Sequence, residues 1–279
     1  MVCDVWGGVR NSRQAVNLYS LFTIPYSIAR STGLLCTPVG ARLFRAAYFQ
    51  YKKHFEDPFY GLILRHPELF RGGDILDVGA NIGYCASLFS AAADRGRRVF
   101  AFEPEPFNVS LLKRVVHARS RGTIVPVQAA VGETGGEIRL RLNPRHHADH
   151  RVITIPDREN SGSILVPLVS QDAFLASHDA LTPVCFIKID VQGYELAVCR
   201  GAVRTLAENC DCSVALEYAP DAMAQLGFRA EDLLSWFEQR GYRAYSLHHG
   251  GQITPNLPCN LGRRGYADLL FTRRMPPLA

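Results

Sequence analysis

The sequence contains no C-x-x-C pair and no cysteine–histidine cluster at zinc spacing, although it has eight cysteines in 279 residues. Structural zinc sites of the usual spacing are therefore excluded, and no metal ligand set is expected. Cys85, Cys185 and Cys199 lie inside apolar runs, where a thiol acts as a small hydrophobe. That usage favours a reducing cytoplasm over a disulfide framework. No G-K-[ST] follows a glycine turn, which excludes a P-loop, and no G-x-G-x-x-G is present to cradle a pyrophosphate. The first residues lack a charged-then-apolar pattern with a cleavage site, so no signal peptide is expected. Long apolar runs are missing as well. The stretch 16–35 is broken by Pro25 and Arg30 and makes a poor transmembrane span. No internal repeat or low-complexity tract interrupts the chain.

What is present is an ordinary globular composition, 47% hydrophobic and 20% charged, with a net charge of +5. The charge is unevenly placed. Residues 1–53 hold Arg10, Arg13, Arg30, Arg42, Arg45, Lys52 and Lys53 against Asp4 alone, a net +6, which leaves −1 for residues 54–279. The near-neutral body offers no nucleic-acid face. The basic excess belongs to residues 1–57, an N-terminal helical extension with helices expected over 13–30 and 39–53. Both mix aromatics with arginine. They read as a cap on the following domain, as a dimer contact, or as an element lying on a membrane surface.

Residues 58–279 form the second domain. After a short helix over 58–69 and the stop Arg71-Gly72-Gly73, strands and helices alternate. Strands are expected at 74–78, 98–103, 123–128, 184–190 and 212–218, with helices over 82–93, 106–118, 194–209 and 230–240. This pattern predicts a doubly wound, mainly parallel sheet. The ending differs: 243–248 and 266–271 are strands joined by a loop rich in Gly, Pro and Asn, an antiparallel pair expected at the sheet edge. Residues 132–178 interrupt the alternation with three short apolar runs and a helix over 171–178, a small β-insert.

Ligands of such sheets bind beyond the carboxyl ends of the strands. The first strand ends in Asp77 and the turn Gly79-Ala80-Asn81-Ile82-Gly83, whose glycines let backbone approach a ligand at a helix N-terminus. The second ends in Glu103-Pro104, the third near Gln128-Ala129, the fourth in Lys188-Ile189-Asp190 and the fifth in Glu217. An acid at the end of the second strand suits two ribose hydroxyls, hence an adenosine-containing cofactor. The glycine spacing and the antiparallel final pair favour S-adenosylmethionine over NAD.

Together the motifs Asp77-Val78-Gly79-Ala80-Asn81-Ile82-Gly83-Tyr84, Phe102-Glu103-Pro104 and Ile187-Lys188-Ile189-Asp190-Val191-Gln192-Gly193-Tyr194-Glu195, with Gly201-Ala202 closing the next helix, make the chain resemble the FkbM family of S-adenosylmethionine-dependent methyltransferases over about residues 58–220. The family often has Glu where this chain has Gln192, a small residue at Tyr194, and Leu-Asp-Asp near Val169-Ser170-Gln171-Asp172. The resemblance implies a seven-stranded methyltransferase sheet and O-methylation of a hydroxyl on a sugar, glycolipid or polyketide-type product.

By position it places Asp77, Gly79, Ala80, Asn81 and Gly83 around the methionine part of the cofactor, and Glu103 with Pro104 at the ribose. Gln128 and Ala129, with Glu133 beyond them, fall near adenine, and Asp190 beside the sulfonium. Asp190 is the first candidate for general base and Glu217 the second. His147, in the run His146-His147-Ala148-Asp149-His150, is a third proton acceptor, or part of a solvated loop. His248-His249 carries the same ambiguity. The competing classes are an NAD-dependent oxidoreductase and a non-catalytic cofactor-binding scaffold. The expected partners are a small-molecule, glycan or glycolipid acceptor, a membrane surface touched through residues 1–53, or a second copy of the chain. The expected location is cytoplasmic, with the membrane-surface reading making it membrane-associated.

Overall fold

The structure is a computed structural model and describes residues 37–119, 123–142, 151–153, 162–178, 182–255, 257, 261 and 265–274. The expected helix over 13–30 and the histidine run containing His147 lie outside the described residues. Two compact units are present: of the described residues, 37–55 belong to the smaller and 56 onward to the larger.

In the smaller unit, α1 (Pro38–Tyr51) starts at a proline whose fixed φ suits the first helical turn, and Thr37 Oγ1 accepts from the Gly40 N–H at 3.1 Å. α1 exposes Val39 and Leu43. No helix among the described residues is long and apolar enough to cross a membrane.

The larger unit opens with α2 (Phe59–Arg65), capped by Asp57, whose Oδ2 accepts from the Phe59 N–H at 2.9 Å. A 3-10 turn, Pro67–Phe70, leads into β1 (Asp74–Val78), α3 (Tyr84–Ala92), β2 (Val99–Phe102), α4 (Pro106–Arg119) and β3 (Ile124–Val127). The insert supplies β4 (Ala130–Val131), β5 (Gly136–Arg141), β6 (Arg151–Ile153), β7 (Ser163–Val169) and α5 (Gln171–Ser177). The alternation then resumes with β8 (Val184–Ile189), α6 (Glu195–Arg200), α7 (Val203–Glu208), β9 (Ser213–Tyr218), α8 (Pro220–Gln225) and α9 (Ala230–Glu238). β10 (Arg243–Leu247), β11 (Ile253–Thr254) and β12 (Ala267–Thr272) complete it.

The main sheet has the order β11-β10-β12-β9-β8-β1-β2-β3. β3, β2, β1, β8 and β9 run parallel. β12 runs antiparallel to both neighbours and is inserted between β9 and β10. This is the doubly wound methyltransferase sheet that the motifs imply, with two refinements. The reversed strand is inside the sheet rather than at its rim, and β11 adds an eighth strand to the seven expected. The insert is a separate four-stranded sheet, β4-β7-β5-β6.

Other departures have local causes. The single helix expected over 194–209 is two, α6 and α7, parted at Gly201-Ala202. A Cβ on Gly201 would sit 2.0 Å from the Gly132 carbonyl oxygen, so the insert presses on the chain just where the helix stops. Asp172 then takes up the free N–H groups of α7, accepting from Arg204 N and Thr205 N at 2.9 and 2.8 Å. α8 was not expected from the pattern, because a six-residue helix starting on Pro220 carries less than two turns of periodicity.

β1 is buried along its whole length, as a central parallel strand must be. Its side chains alternate between two cores. Leu76 and Val78 pack with Phe100, Phe102, Ile187 and Ile189 on one face. Ile75 packs with Ala101, Phe186, Ala215 and Leu270 on the other, under Phe59 and Phe89. Strand parity therefore assigns Asp77, Glu103, Lys188, Asp190, Glu217 and Asp268 to this second face. All lie at the end of the sheet where the parallel strands finish.

Candidate cofactor and active site

The turn after β1 is held from both sides. The N–H groups of Gly79 and Ala80 donate to the Phe102 carbonyl at 3.0 and 2.9 Å, and Asp190 N donates to Val78 O at 3.0 Å. Gly79 has φ 79°, and a Cβ there would lie 1.9 Å from the Asp190 carbonyl oxygen, so only glycine fits. Asn81 also takes left-handed backbone, φ 50°, which asparagine tolerates better than most residues. That conformation turns its N–H toward Glu103 Oε2, at 2.8 Å. Gly83, φ 88°, then starts α3, whose N-terminus faces the turn.

Glu103 ends β2 as a buried carboxyl. Its Oε1 accepts from Glu105 N at 3.0 Å and from Asn108 Nδ2 at 3.4 Å. Burial pushes its pKa up to about 7, against the pull of those N–H donors. Pro104 follows, half-buried, and Glu105 Oε2 caps α4 through Asn108 N at 2.6 Å. Glu103 N donates to Val127 O at 3.0 Å, which sets the end of β3 beside the end of β2. Beyond it Gln128 is exposed and Ala129 buried. Glu133 is exposed and pairs with Arg200 at 3.7 Å.

A second group sits on β1, β8 and β9. Asp77 and Lys188 are register partners in the parallel ladder, and both are buried. Lys188 Nζ donates to Gly79 O at 2.9 Å and lies 3.4 Å from Asp77 Oδ1 and 3.5 Å from Asp190 Oδ2. Burial acts to lower the Lys188 pKa, but the carboxylates of Asp190 and Asp77 outweigh it and hold the ammonium charged. Burial raises Asp77, against Lys188. Despite the ion pair, neither Asp77 oxygen has a hydrogen-bond partner among the described residues.

Asp190 presents a side chain 40% exposed. Gln192 Nε2 reaches Asp190 Oδ1 at 3.1 Å and Glu217 Oε1 at 3.2 Å. Glu217 is paired across the ladder with Asp268. Burial, then the charges of Asp190, Asp268 and Glu195, push Glu217 up to about 9.

The structure thus joins Asp77, Asp190 and Glu217 through Lys188 and Gln192, and joins Asn81 to Glu103. Lys188 and Gln192 were not singled out from the sequence as site residues. Lys188 had a signal, since residues two apart on a strand share a face and Lys188 precedes Asp190 by two. His248 is exposed, and its Nε2 pairs with Thr254 Oγ1 at 2.8 Å across the β10–β11 connection.

Residues 77–244 match the model of the methyltransferase FkbM domain. Hexuronic acid methyltransferase AglP of Haloferax volcanii is 33% identical over 135 residues, which are 48% of this chain and 52% of that protein. The chain thus spans about half the length of this curated relative. Among solved structures, methyltransferase FkbM from Methylobacillus flagellatus aligns over 93% of this chain and 59% of its own, at 18% identity and a TM-score of 0.49. The O-methyltransferase TomG from Streptomyces achromogenes aligns over 77% of each chain, at 12% identity and a TM-score of 0.44.

Proposed function

Since the chain belongs to the FkbM methyltransferase family, we propose that it is an S-adenosylmethionine-dependent O-methyltransferase acting on a sugar hydroxyl, with Asp190 as general base. The residues of the site fit the cofactor. Both Asp77 oxygens are buried without hydrogen bonds and suit a donor such as the methionyl ammonium. The N-terminus of α3 suits its carboxylate. Glu103 Oε2 keeps a lone pair beyond Asn81 N for one ribose hydroxyl, and Oε1, which accepts from Glu105 N, can take the second in place of its long 3.4 Å contact with Asn108 Nδ2.

The cofactor, when bound, supplies a methyl group already activated by the sulfonium. What remains for the protein is alignment and removal of one proton from a weak nucleophile. Asp190 is suited to that removal because it is the partly exposed acid at the end of a central strand, beside the turn that receives the cofactor. Glu217, kept protonated by its surroundings, serves as a neutral neighbour rather than as the base at pH 7. The observation carrying the reading is the placement of Asp190 against the Gly79 turn. The sugar acceptor is suggested by the relative that acts on hexuronic acid.

The test uses methyl-labelled S-adenosylmethionine with hexuronate-containing and neutral oligosaccharides. Label is expected in a position stable to mild alkali, as an ether is and a methyl ester is not. Asp190→Asn should lower kcat by about 10²–10⁴, with S-adenosylhomocysteine affinity kept within a few-fold. Near-normal turnover in that variant would end the assignment of the base.

A further inference from the structure

The loop after β8 holds a device that the acid–base reading leaves unexplained. Gln192 has φ 56°, left-handed backbone in a residue that is neither glycine nor asparagine. Such a conformation persists where its surroundings over-determine it. Glu195 does so. Its Oε1 accepts from Val191 N and from Gly193 N, both at 3.1 Å, gripping the backbone on either side of Gln192. Gly193 has φ 103°, and a Cβ there would lie 2.6 Å from the Ala222 carbonyl carbon, so the loop is also pressed against α8. The bend aims one side-chain amide at two carboxyl groups, Asp190 Oδ1 and Glu217 Oε1. An amide NH₂ has two hydrogens, and this one spends both.

Resting on the reading of Asp190 as base, we infer that Gln192 is a positioning residue for methyl transfer: its amide fixes Asp190 through Oδ1 and leaves Oδ2 toward the acceptor. Lys188 approaches that second oxygen at 3.5 Å and steadies it without a short bond. The charged and titratable groups facing the pair are Lys188 on β8, Asp77 on β1, Asp268 on β12 and Glu195 on α6. Gln192 gives Asp190 a hydrogen-bond donor. A carboxylate at position 192 would have no hydrogen to give and would set a negative charge beside Asp190.

The experiment is the pH profile of kcat for the full chain and for Gln192→Glu, Gln192→Asn and Asp190→Asn, with S-adenosylhomocysteine affinity measured in each. Gln192→Glu should move the acid limb up by about one pH unit and leave cofactor affinity within twofold. Gln192→Asn keeps tolerance of the left-handed backbone but is too short to span both carboxyls. Its acid limb should move the same way, with kcat down about tenfold, and it carries the test if Gln192→Glu does not fold. Unmoved limbs alongside an inactive Asp190→Asn would overturn the role of Gln192 alone. Near-normal turnover in Asp190→Asn would overturn the base assignment and this inference with it.

Discussion

Cofactor affinity should depend on pH through Glu103. In the free site burial raises this carboxyl from 4.5 to about 7, so it takes up a proton as the pH falls through that value. Ribose hydroxyls donate to a carboxylate, and they hold it ionised in the complex. Below pH 7, binding must therefore expel a proton, and affinity must fall with falling pH. One pKa unit corresponds to about 1.4 kcal/mol, so a site titrating near 7 gives S-adenosylhomocysteine about tenfold weaker binding at pH 6 than at pH 8. If the complex restored the ordinary value of 4.5, the whole effect would approach about 3 kcal/mol, its upper bound. Calorimetry in two buffers of different ionisation enthalpy measures both the affinity and the protons released. Glu103→Gln should flatten the profile and weaken binding at pH 8 by roughly 10–100-fold, the worth of a hydrogen bond to a charged group. The difference between the two proteins separates Glu103 from the ligand's own amine. A wild-type affinity unchanged between pH 8 and pH 6, with no proton released, would refute the assignment of the ribose to Glu103.

Lys188→Met should destabilise the fold by about 3–5 kcal/mol, because it strands Asp77 without its buried counter-charge, and urea unfolding followed by circular dichroism measures this. The ligand-free protein should lose stability as pH rises from 5 to 8. Glu103 and Glu195 both have folded pKa values raised to about 7, so the native state binds more protons than the unfolded chain between 4.5 and 7. Thermal melts across that window check the sign, and Glu195→Gln should flatten part of the slope. Gly61→Ala should lower the melting temperature and slow no chemistry. Its Cβ would fall 2.1 Å from the Gly250 backbone, an overpacking cost of about 1–3 kcal/mol between α2 and the β10–β11 connection.

The sheet was legible in the sequence because a central parallel strand is buried on both faces and reads as an unbroken apolar run, as Ile75-Leu76-Asp77-Val78 does apart from its one acid. The cofactor turn was legible because glycine there answers a backbone demand, seen now at Gly79. The break between α6 and α7 was legible only as the Gly201-Ala202 of the family motif; its cause, Gly132 pressing on Gly201, lies nearly seventy residues earlier. Ala130–Val131 was missed as a strand, because two residues carry no period. Lys188 was passed over for a different reason. A cation inside an apolar strand looks like an exception to the pattern, and only the register with Asp77 shows that it is answered. Gln192 was hidden too, since nothing in its neighbours along the chain foretells that its amide meets Glu217, 25 residues on.

The direction of one strand governs the chemistry of another. In an all-parallel sheet, Asp268, second residue of its strand, would lie at the rim opposite the ends of β8 and β9. Because β12 runs backwards, its beginning arrives where its neighbours finish, and Asp268 stands directly across from Glu217. The negative charge this adds is one of those that keep the proton on Glu217. Reversing that single strand would separate the two acids and remove one of the charges that raise Glu217. Chain polarity, normally a matter of topology, here helps keep the proton on Glu217, which in the proposed reaction leaves Asp190 to act as the base.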